Sequence, residues 1–185
     1  HTFNITKNAV DGGPFKSVDT VTVAGSAGND TFSFKELWDA NTFKIDGGAG
    51  SNTADFHLLA QDILINVNAA GLVSDIDVGD KSIIAIAPKT NLMVDIVKGG
   101  KGDTTLDMSA YTGGDLLFTL KKSDNQVVVT KDDGSGTVVI TVNNITDIKG
   151  GAGNDRFVFE SGAKLKGTID GGVGPGKNTI DYSAL

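Results

Sequence analysis

At 185 residues and 19.1 kDa the chain fits one domain with a sizeable core, and no apolar run approaches the roughly 18 residues that a membrane span needs. A net charge of −7 without a basic stripe argues against nucleic acid, and the absence of Cys excludes disulfides and thiolate metal sites. Of the 23 acidic residues only Glu36 and Glu160 are Glu. Asp is a turn former whose short carboxylate reaches nearby amides or a hard cation, so many loops and few helices are expected.

In chain order the pattern is one of short β-branched runs punctuated by Gly, Asn and Asp. "VDTVTVAG" (18–25) reads as a strand and leads into a glycine loop followed by "FSF" (32–34). "FKELWDAN" (34–41) is the one stretch that suggests a helical turn, with Trp38 as a hydrophobic plug. "DILINVN" (62–68), "SIIAIAP" (82–88) and "LMVDIV" (92–97) are further strands, interrupted by "NAAGLV" and "VGDKS". "DLLFTL" (115–120), "NQVVVT" (125–130) and "TVVITVNNI" (137–145) are joined by the tight connections "KSDNQ" and "KDDGSG". They predict an antiparallel meander over about 115–142.

Five glycine loops start at Gly25, Gly47, Gly99, Gly150 and Gly171, spaced 22, 52, 51 and 21 residues apart. Gly25 and Gly150 open G-x-A-G-N-D loops that run into x-F-x-F. Gly47, Gly99 and Gly171 open loops leading to Thr-apolar-Asp: "TAD" (53–55), "TLD" (105–107) and "TID" (179–181). Repeats of about 20 residues that cannot bury an apolar face alone predict stacked coils sharing one core. The expected fold is therefore an all-β parallel solenoid over 1–185, with the meander attached and the 50-residue gaps holding either extra coils or sheet strands. Ala54, Leu106 and Ile180 should point into one core. Asp55, Asp107 and Asp181 should end equivalent strands, stacked and relieved by amides, Thr hydroxyls or a cation. "HTFNI" at one end and the repeat-like "NTIDYSAL" at the other read as a fragment of a longer polypeptide.

Residues 150–158, "GGAGNDRFV", match G-G-x-G-N-D-x-U-x, where U is a large apolar residue. This resembles the calcium-binding nonapeptide of the RTX, or hemolysin-type, repeat proteins. The resemblance implies calcium held by the loops of Gly25, Gly28 and Asp30, of Gly150, Gly151, Gly153, Asn154 and Asp155, and by Asp103 in "GGKGDTTLD". The departures are as informative: Ser26 replaces the second Gly, Asn52 stands where the ligand Asp belongs, and Asp103 comes one place early. "GGVGPGKN" has two additional residues, with Asn178 near the ligand position. Neighbouring loops are at least 21 residues apart rather than nine. The whole is most similar to the degenerate loops of giant bacterial adhesin or hemagglutinin-like surface proteins. That likeness implies a secreted or cell-surface structural module, with glycans or neighbouring repeats of the same chain as partners. Isolated, the domain is expected to be a monomer with some tendency to associate end to end, because "HTFNI" and "NTIDYSAL" carry β-branched and aromatic residues and no polar cap.

Machinery for catalysis is sparse. His1 and His57 are the only imidazoles, and no H-E-x-x-H or P-loop occurs. Glu36 and Glu160 could form a glycosidase pair, but both follow equivalent F-x-F strands. A β-helix polysaccharide lyase or epimerase is the enzyme alternative, poorly served by Arg156 as the sole Arg. A carbohydrate-binding module would instead expose aromatics, with Trp38, Tyr111 and Tyr182 as candidates.

Overall fold

The computed structural model describes residues 1–89 and 91–185. The first strands, β1 (Thr2–Thr6), β2 (Ala9–Val10) and β3 (Gly13–Pro14), form an antiparallel meander at one end. There follow β4 (Thr20–Ala24), β5 (Thr31–Phe34), β6 (Thr42–Asp46), β7 (Thr53–Asp55), β8 (Ile63–Val67), β9 (Val73–Val78) and β10 (Lys81–Ala85). The second half contains β11 (Ile96–Lys98), β12 (Thr104–Asp107), β13 (Leu116–Lys121), β14 (Gln126–Lys131), β15 (Val138–Asn143) and β16 (Asp147–Lys149). β17 (Arg156–Phe159), β18 (Ile169–Asp170) and β19 (Thr179–Asp181) close the chain.

These strands build two mixed sheets, so the chain is all-β as expected but not parallel throughout. The larger sheet has the order β19-β17-β13-β14-β15-β11-β7-β5-β1-β2-β3, the smaller β18-β16-β12-β8-β9-β10-β6-β4. Leaving β1–β3 aside, each sheet counts eight strands, and the chain passes repeatedly from one to the other. The two long loop spacings have one explanation. After β7 the chain enters the smaller sheet two places ahead at β8, then runs back through antiparallel β9 and β10 to β6. After β12 it does the same in the larger sheet, overshooting to β13 and returning through β14 and β15 to β11. The meander at 115–142 therefore lies inside the larger sheet rather than attached beside it. Each overshoot is filled from behind, so both sheets grow by equal amounts.

Alternation of side chains drives this arrangement. β13 and β8 bury every second residue, placing Leu116, Phe118 and Leu120, and Ile63, Ile65 and Val67, in one cluster between the sheets. Aromatic columns run along the stack: Phe3 on Phe32 at 5.2 Å, Phe118 on Phe157 at 4.5 Å, Phe34 on Phe56 at 4.7 Å. Phe34 of the larger sheet meets Phe43 of the smaller edge-on at 5.4 Å.

Two expectations fail locally. Residues 35–41 form no helix, because their amides are spent on the neighbouring segment: Lys35 N donates to Ile5 O and Asp39 N to Lys7 O. Trp38 nevertheless plugs the core, 5.2 Å from Phe34 and 5.3 Å from Phe43. In "LMVDIV" only 96–97 join a strand; Met93, at φ 52°, turns the segment before it.

Candidate functional site: the stacked glycine loops

The loops at Gly25, Gly47, Gly150 and Gly171 all carry the chain from the smaller sheet to the larger, along one edge of the stack. The Gly99 loop connects β11 to β12 and so lies on the opposite edge, correcting its equivalence with the Gly47 loop. Neighbouring loops lie backbone on backbone. A Cβ on Gly150 would fall 2.5 Å from Asp155 Oδ2 and 2.7 Å from Gly171 O. Gly25 and Gly153 are packed as closely, against Gly47 O and Gly114 O, whereas Gly28 has open space.

The loops come in two kinds with opposite wiring. In the Asp loops the carboxylate folds back on its own turn: Asp30 Oδ2 accepts from Ser26 N at 2.6 Å, and Asp155 Oδ2 from Gly151 N at 2.7 Å. In the Asn loops the corresponding N–H turns the other way, to the Asp two residues earlier. Gly48 N donates to Asp46 Oδ1 and Gly172 N to Asp170 Oδ1, both at 3.0 Å. That flip requires positive φ, 78° at Gly48 and 90° at Gly172. It leaves Asn52 Nδ2 donating to Met93 O at 3.0 Å. The rule is visible in sequence: "IDGGAGSN" and "IDGGVGPGKN" carry the preceding Asp, while "VAGSAGND" and "IKGGAGND" do not. Ser26 is tolerated because its loop needs no flipped peptide.

The same residues tie each loop to the next through a ladder of rungs. A backbone N–H donates to the Asp or Asn side chain paired with it one strand further along. Asp30 N reaches Asn52 Oδ1 at 2.9 Å, Asn52 N reaches Asp95 Oδ2 at 2.9 Å, and Asp155 N reaches Asn178 Oδ1 at 2.8 Å. Leu116 N donates to Asp155 Oδ1 at 3.0 Å, and the amino group of His1 takes the same place 3.2 Å from Asp30 Oδ1. One residue earlier, rungs run in the reverse sense: Ser51 N to Asn29 Oδ1, Lys177 N to Asn154 Oδ1 and Asn154 N to Asp115 Oδ1. On the opposite edge Asp103 N donates to Asp62 Oδ1 at 2.9 Å, while the Asp103 carboxylate pairs with Lys166 Nζ at 2.9 Å.

Calcium takes six to eight oxygens. Asp30 and Asp155 are each 1 % exposed, and their carboxylates face amides and, for Asp30, an ammonium. Among the described residues no three His, Cys, Asp or Glu gather as a metal-holding group. The donor set fits an amide-closed turn. Electrostatics separate the two Asp. The Ser26 amide leads in holding Asp30 below the ordinary carboxylate value, against some desolvation. Burial pushes Asp155 above it, only partly offset by the Gly151 and Leu116 amides, with Asp115 adding repulsion.

The Thr-apolar-Asp strands end as expected at Asp55, Asp107 and Asp181, but β7 and β19 lie in one sheet and β12 in the other. Ala54 and Leu106 are fully buried, whereas Ile180 is 46 % exposed at the end of the stack. No Asp ladder forms, because Lys alternates with Asp across the strands: Lys98 pairs with Asp55 and Lys149 with Asp107. Each Asp also accepts the amide two residues on, from His57, Ser109 and Ser183 respectively.

Glu36 and Glu160 follow β5 and β17, which have five strands between them. At about 4.8 Å per strand that puts the carboxyls far beyond the roughly 5–10 Å of a glycosidase pair. His57 Nδ1 lies 2.6 Å from Asp55 Oδ1 with its ring half exposed. Trp38 and Tyr111 are 1 % exposed and belong to the core, so only Tyr182 of the three candidate aromatics faces solvent. Among the described residues no helix is long and apolar enough to cross a membrane. Comparison with protein-family models, with curated proteins and with solved structures finds no match.

Proposed function

We propose that the chain is a structural repeat module of a large secreted or cell-surface protein, built as a two-sheet β-solenoid. The observation that carries this reading is the ladder. The buried polar groups Asp30, Asn52 and Asp155 are engaged in hydrogen bonds that join one loop to the next. The apolar residues likewise form one core running the length of the stack. Such a chain gains extension and resistance to unfolding rather than a preorganised pocket. The test is incubation with alginate and pectin, followed by the ultraviolet absorbance of unsaturated uronates. No product is expected, and turnover abolished by a single groove Lys or Asp substitution would replace the structural reading with a lyase.

A second reading rests on the nonapeptide at 150–158: calcium held by the Asp30 and Asp155 loops after their carboxylates turn away from the amides. At a hundredfold excess over Kd, calcium would add about 2.7 kcal/mol, or roughly 5–10 °C in Tm for a chain of this size. Amide-closed loops predict the same melting curve in millimolar calcium and in EGTA. A calcium-dependent rise that Asp155→Ala removes would establish the metal.

A further inference from the structure

The two ends of the stack are unlike. At the first, β1–β3 extend the larger sheet as its last strands, Val10 and Phe15 pack on the core, and Pro14 in the outermost strand removes a donor from the edge. At the last, β18 and β19 are bare edges. The apolar columns run into them and stop: Phe118, Phe157 and Ile180 are paired across successive strands, and Tyr182 lies tilted against Phe159 at 4.6 Å. Ile180 is 46 % exposed, Tyr182 53 % and Leu185 62 %, where their counterparts Phe157 and Phe159 are buried.

The ladder stops at the same level. Four aligned amides along this edge, at Asp30, Asn52, Leu116 and Asp155, donate to an Asp or Asn side chain one strand further on, while Asp95 N, beside the backward meander, turns back to Asn52 O. Asn178 accepts the rung from Asp155, but among the described residues its own N–H has no acceptor. The missing group is defined by the other rungs: a side-chain oxygen of Asp or Asn, immediately before a strand parallel to β19.

We propose that the β18–β19 face is the docking surface for one further coil of this chain's own pattern. This proposal rests on the repeat-module reading above. The coil supplies an apolar-alternating strand beside β18, a glycine loop over residues 171–178, and Asp or Asn ahead of a Thr-apolar-Asp strand beside β19. Its Asx oxygen accepts from Asn178 N, and its apolar residues cover Ile180 and Tyr182. The first end of a second copy does not meet this requirement, because β2, β3 and Pro14 cover the edge of its larger sheet.

The experiment extends the full chain. Residues 163–185 are joined a second time after Leu185, so that β19 leads through Tyr182–Leu185 into a repeated coil. Amide hydrogen exchange is read by NMR in the parent and extended chains. The expected result is slowing of the Asn178 amide by at least about tenfold, with a raised Tm. Changing the appended counterpart of Asn178 to Ala should return the Asn178 amide to its parent rate, and changing it to Asp should keep the protection. An extension that stays at random-coil shifts with Asn178 exchanging as before overturns the proposal while leaving the repeat-module reading intact. So does a parent chain whose Asn178 amide becomes protected with rising protein concentration, which would make a second copy the occupant. Uronate turnover would instead remove the repeat-module reading itself.

Discussion

A single peptide orientation separates the two loop types, and it makes glycines of similar appearance unequal. Gly48 sits at φ 78°, and a Cβ there would collide with Ser26 O in the loop below. Gly151 needs no positive φ, and its Cβ would meet Tyr111 O at 3.2 Å and Tyr111 Cδ1 at 3.3 Å, contacts that a small shift relieves. The left-handed conformation alone costs an Ala roughly 1–2 kcal/mol. We therefore expect Gly48→Ala to lose more than about 2 kcal/mol in urea unfolding and Gly151→Ala less than half of that. The reverse ranking would refute the two-loop rule. The Asp residues differ in the same local way. Burial raises Asp155, so the folded chain takes up its proton at a pH where the unfolded chain has already lost it. Ionised Asp155 therefore weakens the fold at neutral pH, and stability attributable to it rises as pH falls through the raised value toward 3.8, the ordinary one. Asp46 and Asp107 behave oppositely. Desolvation is outweighed at Asp46 by Lys89 and the Gly48 amide, and at Asp107 by Ser109 and Lys149. Their stabilisation is present above 3.8 and lost as pH falls through their lowered values. Carboxyl NMR titration should find Asp155 protonating first among the three, and Asp155 titrating with or below Asp107 would contradict this order.

At the scale of strands, the two meanders differ from the rest in running backwards, yet they bury side chains by the same alternation. Phe118 is fully buried against Phe157, whereas its neighbour Leu117 lies on the other face of β13, half-buried. Phe118→Ala should cost about 3–5 kcal/mol and Leu117→Ala under about 1 kcal/mol, measured by denaturant unfolding. Equal losses would mean that the register of β13 is wrong. That register was legible in advance, since "DLLFTL", "NQVVVT" and "TVVITVNNI" alternate cleanly between tight turns. Others are not, β6 and β9 among them. β9 reads "VSDIDV", in which Ser74, Asp75 and Asp77 obscure the apolar face, and a register shift at Asn66/Val67 breaks the expected spacing of Val73 and Ile76. β6 directly follows the helix-like stretch 34–41, which masks its short alternation at Phe43 and Ile45. The glycine loops are legible from motif and spacing, but neither carries the edge on which a loop lies. The Gly99 loop lies out of phase because it follows β11 of the larger sheet, whereas each of the other four follows a strand of the smaller. The wiring of the loops was also present in the sequence, as Asp46 and Asp170 standing directly before the double glycines.

Across the whole molecule each strand pairs only with its neighbours in one of two sheets, so stability should vary along the strand order. The middle levels, β11 to β15 in the larger sheet and β10 to β12 in the smaller, have a paired strand on both sides and a fully buried interior. The last level has two short strands, one paired side each, and an Asn178 rung with nothing beyond it. In the larger sheet the opposite end is held more firmly, because β1 is paired on both sides, Ile5 is fully buried and Phe3 stacks on Phe32. Opening should therefore begin at β18–β19 and travel inward. Native-state hydrogen exchange in low urea should show amides of 168–181 exchanging by a sub-global opening while those of 116–143 exchange only with complete unfolding. A common opening free energy for both segments would show that the chain unfolds as one block, and that the levels are coupled more tightly than neighbour contacts allow.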